Sequence, residues 1–241
     1  MLMLMVVALI TVIFKIQKHY LKMLHLIGGR KLVLIPAFFF VPIHELSHLV
    51  VAFLCGHKIN KVSFFQNNGT GTLGFVEHSY KPSFISPFTN LLIGIAPIAG
   101  GALSVVGLYY ALGLHEGNCS SLAAHHFFVF QGQEIFNPVN FIVSSSACAD
   151  HYRFLIWLLI SVNIMVFAIP SRADFIGAKW GLITTAIVLL FTTFTPAFSQ
   201  VYEFMVIGLN SIVLPSLLVT VVLFLPVNLC LMAIVKLINK E

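Results

Sequence analysis

His44-Glu45-Leu46-Ser47-His48 places two imidazoles four residues apart with a carboxylate between them. On a helix, side chains at i and i+4 project from one face, which presents two zinc ligands together. Glu45, beside the first histidine, then reaches a water on the metal. Zinc lowers the pKa of that water toward about 7, and a carboxylate takes its proton as it attacks a carbonyl. The bland reading is that two histidines and a glutamate satisfy one another in a bundle core or relay a proton. The setting argues against it. The motif lies inside a long apolar run, residues 32–56. An ionised side chain at mid-membrane costs about 2.5–3.5 kcal/mol on insertion scales, so it is rarely there without a function.

A catalytic zinc site of this kind needs a third protein ligand and an open position for water. Acids within the apolar runs are few, and Asp174 is the best placed. It lies in Ile169-Pro170-Ser171-Arg172-Ala173-Asp174-Phe175-Ile176-Gly177, where one apolar run stops at a proline and another begins. Broken backbone at membrane depth is tolerated where it lines a site. The competing reading is an ordinary helix-capping aspartate at the interface; the histidine pair tips the balance toward a ligand.

The elements that position these residues follow from composition. Of 241 residues, 59% are hydrophobic and only 9% charged, against roughly 25% charged in an average soluble domain. Such a chain cannot cover a soluble surface, and it must present apolar groups to the lipid bilayer. Apolar runs near the spanning length of about 20 residues fall at about 1–14, 32–56, 87–113, 154–171, 175–195 and 204–235. The fold expected is an all-α, multi-pass integral membrane protein of about six transmembrane helices, a single domain over 1–241 with its core at about 32–195. The first run is short and either extends by snorkelling of Lys15 and Lys18 or lies at the interface. It lacks a basic leader and a cleavage site, so it reads as retained and not as a signal peptide. Pro215 and Pro226 predict a kink or a division in the last run.

Two loops stand out. Asn67-Asn68-Gly69-Thr70-Gly71 separates the β-like runs 61–65 and 72–76, which predicts a small hairpin after the HExxH helix. Residues 114–152 carry Glu116, Glu134 and Asp150 but no Lys or Arg. Lys58, Lys61 and Lys81, then Arg172 and Lys179, then Lys236 and Lys240 share one side if the spans alternate, and the positive-inside rule makes that side cytoplasmic. Lys15, Lys18, Lys22, Arg30 and Lys31 conflict with this assignment. The net charge of +5 resides in such flanks, so no nucleic-acid footprint is present. Cys55, Cys119, Cys148 and Cys230 form no CxxC pair, which argues against a thiolate zinc site. Cys119 and Cys148 share one loop and either pair or stay free. His125-His126-Phe127-Phe128 reads as an aromatic loop on the membrane, and His57, His78 and His115 read as surface residues.

With these features the chain resembles the site-2 proteases, zinc metalloproteases that cut peptide bonds within or next to the membrane. The resemblance rests on His44-Glu45-Leu46-Ser47-His48 in a spanning helix, the β-like loop after it, the small-residue segment Ala96-Pro97-Ile98-Ala99-Gly100-Gly101, and Asp174 beyond a proline at the end of a later span. Many members read Asn-Pro-Asp-Gly or Leu-Asp-Gly at the last of these; here Gly177 follows Asp174 by three residues. The resemblance implies a three-helix core with His44, His48 and Asp174 as Zn2+ ligands and Glu45 as general base. Asn163, upstream of Asp174, takes the place of an asparagine that lies near the oxyanion in some members; an interhelical hydrogen bond is its other reading. No stretch is long enough for a PDZ-like domain, so a minimal core enzyme is expected.

The function expected is a zinc-dependent intramembrane endopeptidase acting on a membrane-anchored protein substrate, in the inner or plasma membrane, alone or with a regulatory membrane partner. The hairpin edge is a candidate to pair with an extended substrate. The alternative is a metal-ion transporter using the same His/Glu/Asp cluster. It needs polar ligands spread over several spans, and the other spans are nearly free of charge. A non-catalytic scaffold is the third reading, and the intact Glu45 argues against it.

Overall fold

The computed structural model describes residues 2–67, 72–114, 127–130, 133–136, 151–194, 200, 203 and 214–238. The Asn68–Gly71 turn, His115, His125, His126, Cys119 and Cys148 lie outside the described residues.

In chain order the elements are α1 (Leu2–Leu54), β1 (Lys58–Ser63), β2 (Phe75–Ser79), α2 (Ser86–Ala111), β3 (Phe127–Phe130), β4 (Gln133–Phe136), α3 (His151–Ala168), α4 (Arg172–Phe194) and α5 (Leu214–Ile238). Among the described residues, five helices are long and apolar enough to cross a membrane. The chain is a mainly helical membrane protein. Large apolar side chains such as Phe39, Phe53, Leu54, Leu103 and Leu190 are exposed, as lipid-facing groups are.

The expected runs 1–14 and 32–56 fall on one element. The intervening Lys15, Lys18 and Lys22 do not end the helix. They form its exposed side, while Ile13, Tyr20, Met23 and Leu24 are buried at helical spacing. An amphipathic helix needs only one apolar stripe. The regular backbone breaks instead at Gly28 and Gly29, where Gly29 adopts φ 63°, a region open to glycine. Of the last run, residues 204–213 lie outside the described residues. Pro215 stands in the first turn of α5, where a proline costs a helix little, and the helix continues through Pro226 without division.

The residues group into two compact units. One comprises Met1–Leu34, Ala102–Val166 and Asn210–Glu241. Within it Trp157, almost fully buried, donates to the Val105 carbonyl at 3.1 Å and meets Tyr109 edge-on. Gln17 donates to the Val166 carbonyl at 2.7 Å, and Asn228 donates to the Ile16 carbonyl at 3.3 Å. Thus α1, α3 and α5 are joined by polar contacts where apolar packing alone gives little specificity in lipid. β3 and β4 also belong to this unit and pair antiparallel, Phe127 against Phe136.

The other unit comprises Ile35–Gly101 and Phe167–Leu209. Its part of α1 buries Ala37, Val41, His44, Glu45, His48 and Ala52, a single stripe at 3.6-residue spacing. Glycines let α2 approach its neighbours closely. A Cβ on Gly100 would run into the Ser47 side chain of α1, and one on Gly94 would sit 2.7 Å from Ala178 Cβ of α4. Gly181 does the same against the Pro87 carbonyl and Leu91. Small residues at such crossings are how helices pack tightly in lipid.

The hairpin after α1 exists, with β1 and β2 antiparallel. Its strands lie farther from the turn than the 61–65 and 72–76 runs predict. Lys58 pairs with Ser79 and Ser63 with Phe75, with an irregularity at Asn60. Just before β2 the two arms are still joined, with Gln66 N donating to the Leu73 carbonyl at 2.6 Å, and Gly74 packs on Glu45 and Val41 of α1.

Candidate metal centre

His44 and His48 lie on the buried stripe of α1, 8% and 6% exposed, with Glu45 at 6%. At 1.5 Å per residue, His44 is about 15 Å from the Leu54 end. Asp174 comes from the first turn of α4. His44 Nε2 lies 3.5 Å from Asp174 Oδ2, His48 Nε2 lies 3.2 Å from Asp174 Oδ1, and the two Nε2 atoms are 3.1 Å apart. The sequence-selected ligand candidates are therefore brought together, as one group able to hold a metal ion.

The remaining hydrogen bonds fix which ring atoms face the centre. His44 Nδ1 lies 2.8 Å from the Phe167 carbonyl, and His48 Nδ1 lies 2.8 Å from the Ile93 carbonyl. A carbonyl only accepts, so each Nδ1 carries a hydrogen. In a neutral imidazole that leaves Nε2 with a lone pair. Two nitrogen lone pairs and a carboxylate then converge within 3.5 Å of one another. Such a set repels itself unless a proton or a cation stands among the three. The edge of a tetrahedral zinc site with ligands at 2.0–2.1 Å is roughly 3.3–3.4 Å, and the three separations straddle that value. The donor set could hold a metal ion and is of the types that zinc takes, and the carbonyls lie where outer partners would orient the two histidines.

Both carbonyls are free for a local reason. Phe167 lies in the last turn of α3, whose final carbonyls have no intrahelical donor. The amide four residues on, that of Ser171, donates instead to Asp174 Oδ2 at 2.6 Å. Asp174 N in turn donates to Ser171 Oγ at 3.3 Å, a reciprocal cap that starts α4 after Pro170. Asp174 thus meets both of its sequence readings, cap and ligand candidate, with one carboxylate. The Ile93 carbonyl is four residues before Pro97, the position that would otherwise donate to it.

Glu45 lies within electrostatic range of His44, His48 and Asp174. Gly74 lies against it, and a Cβ there would be 2.8 Å from Glu45 Oε1. Asn163, the oxyanion candidate, belongs to the unit containing most of α3. Its Oδ1 accepts from the Tyr20 hydroxyl of α1 at 3.3 Å, an interhelical hydrogen bond, and its Nδ2 donates to the Leu159 carbonyl one turn back in α3 at 2.8 Å.

Sequence reasoning missed the Ile93 and Phe167 carbonyls and Gly74. The first had a signal, a proline inside an apolar span. It also placed His57 on the surface, whereas His57 is 7% exposed. Its ring is stacked on Tyr80, 3.0 Å from His78 Nδ1 and 3.1 Å from Thr89 Oγ1. Comparison with family models, curated proteins and solved structures finds no match, so the centre must be read from its own geometry.

Proposed function

We propose that this chain is a zinc-dependent intramembrane endopeptidase of site-2 protease type, cleaving membrane-anchored protein substrates. The observation that carries this reading is the convergence of His44 Nε2, His48 Nε2 and an Asp174 carboxylate beside the buried Glu45. His44, His48 and Asp174 would hold the ion. When bound, zinc supplies Lewis acidity, which brings the pKa of water near 7 and polarises a substrate carbonyl.

The chain's own groups supply the rest. Glu45 takes a proton from the water whose oxygen attacks the peptide carbonyl carbon. It returns that proton to the amide nitrogen as the C–N bond breaks, so no net proton is consumed. Proton transfer by a positioned carboxylate contributes about 10²–10⁴-fold. The buried stripe around Glu45 excludes competing water. The Phe167 and Ile93 carbonyls keep both imidazoles turned toward the centre.

The test is cleavage of a membrane-spanning substrate by the reconstituted protein, read beside bound zinc, for the parent and Glu45→Gln. The expected result is about one zinc per chain in both, with cleavage down at least about 10²-fold in the variant. Equal cleavage by the two proteins, or a well-folded parent without metal, would overturn the proposal. Metal flux without peptide cleavage would point to a transporter.

A further inference from the structure

Proline inside a transmembrane helix removes one N–H, and its ring crowds the carbonyl four residues earlier. In α2 that proline is Pro97 and that carbonyl belongs to Ile93. The Ile93 oxygen is the atom 2.8 Å from His48 Nδ1. Pro97 is almost fully buried, so water does not substitute for the missing donor. A freed carbonyl in lipid needs a partner from a neighbouring helix. His48 can be that partner because α2 lies close to α1 here, with Gly100 against Ser47.

We propose that Pro97 is a positioning residue for His48: by denying Ile93 its intrahelical hydrogen bond, it supplies the acceptor that holds His48 in the Nδ1–H tautomer with Nε2 facing the centre. An alanine at this position would return an N–H to the helix. It would draw the Ile93 oxygen back toward the helix axis and leave His48 Nδ1 to compete for it. The ring then loses its orienting acceptor while every candidate ligand remains present. Outer partners of ligating histidines are commonly worth about 10–100-fold in metal affinity.

The role in zinc binding rests on the function proposed above; the tautomer claim does not, and the experiment separates them. The full-length protein in detergent is labelled with 15N-histidine, and the His48 ring signals are assigned with His48→Asn. In the metal-free parent, Nδ1 carries a proton bonded to the Ile93 carbonyl, and any proton shared among His44, His48 and Asp174 is additional to it. Pro97→Ala should shift the ring toward a mixed or Nε2–H tautomer. A third protein carries a backbone ester in place of the 97 amide, with a valine-like side chain. It lacks the N–H as proline does, and so should restore the parent tautomer. Zinc affinity, measured by competition with a chelator, should fall at least about tenfold in Pro97→Ala and recover in the ester. An unchanged His48 tautomer in Pro97→Ala would overturn the proposal. So would an ester variant that behaves like alanine, since the proline would then act through ring shape alone. A parent that shows the expected tautomers but binds no zinc would leave Pro97's orienting role standing and would defeat the protease reading.

Discussion

Gly74, from the approach to β2, lies so close to Glu45 that a side chain would occupy the carboxylate's place: an added Cβ would be 2.7 Å from Glu45 Cγ, 2.8 Å from Oε1 and 2.9 Å from Val41 Cγ1. Contacts this short force one partner to move. Val41 is buried on the same stripe, so Glu45 or the hairpin must give way. Gly74→Ala should therefore displace the proposed base without touching His44, His48 or Asp174. Misplacement of a catalytic group by about 1 Å can cost on the order of 10²-fold. The expected outcome is cleavage reduced about 10–10²-fold with bound zinc unchanged. A variant that cleaves like the parent would mean that the hairpin yields freely and does not set the position of Glu45.

The same hairpin is tied at its far end by two histidines. His57 Nδ1 and His78 Nδ1 are 3.0 Å apart, so one must donate and the other accept. Two protonated rings cannot keep this contact. Burial pushes the His57 pKa below its ordinary 6.5. His78 is pushed down by burial first, then by the facing His57 and by His48. Lowered folded-state values mean that the unfolded hairpin binds protons more readily than the folded one. The pair's contribution is thus fully present above about pH 6.5 and is lost as pH falls below it. Backbone hydrogen exchange over residues 58–79, corrected for intrinsic rate, should show protection dropping about tenfold between pH 7 and pH 5. In His78→Asn, whose amide oxygen takes the place of Nδ1, the part of the drop that comes from His78 should be gone, leaving only the part that comes from the burial of His57. Identical pH profiles for the two proteins would remove the histidine pair as the cause.

What could be read from the chain divides along physical lines. The ligand candidates were legible because i, i+4 spacing is a property of one helix, and Asp174 because Pro170 announces a break. Lys15, Lys18 and Lys22 form one exposed face of α1, which fits the reading that the first segment extends past its charges, while Arg30 and Lys31 lie beyond the break at Gly28 and Gly29. The pairing of β3 with β4 was hidden because Phe127-Phe128-Val129-Phe130 has no alternation to separate a strand from an apolar surface stretch. His57 was misplaced because nothing local shows that Tyr80, His78 and Thr89 will enclose it. The orienting carbonyls are long-range facts. Ile93 lies 45 residues from His48 and Phe167 lies 123 residues from His44, and no local pattern joins them.

Orientation across the bilayer is open to direct measurement. With the basic hairpin loop and the Arg172–Lys179 segment on one side, and the Lys-free 114–152 loop on the other, single cysteines at Ser63 and Ser121 should react with an impermeant thiol reagent from opposite faces. The four native cysteines, Cys55, Cys119, Cys148 and Cys230, are replaced beforehand to clear the background. Labelling of both positions from one face would refute the proposed alternation.

Asp174 permits the sharpest separation of structure from chemistry, because its carboxylate serves the α4 cap and the centre at once. Ser171 N donates to Oδ2, and the same oxygen is 3.5 Å from His44 Nε2 while Oδ1 is 3.2 Å from His48 Nε2. Asp174→Asn keeps an oxygen that can accept from Ser171, so the start of α4 should survive. It removes the negative charge that would hold a divalent ion against two neutral imidazoles. Zinc affinity and cleavage should fall together, each by at least about 10²-fold, with thermal stability of the metal-free protein near that of the parent. Ser171→Ala tests the other half. It deletes the hydroxyl that caps the Asp174 amide, at a cost of about 0.5–2 kcal/mol, and leaves the carboxylate in place. Stability should drop while zinc affinity stays within a few-fold of the parent. If instead Asp174→Asn retains full zinc affinity, the carboxylate is only a cap, and a third ligand must be sought elsewhere.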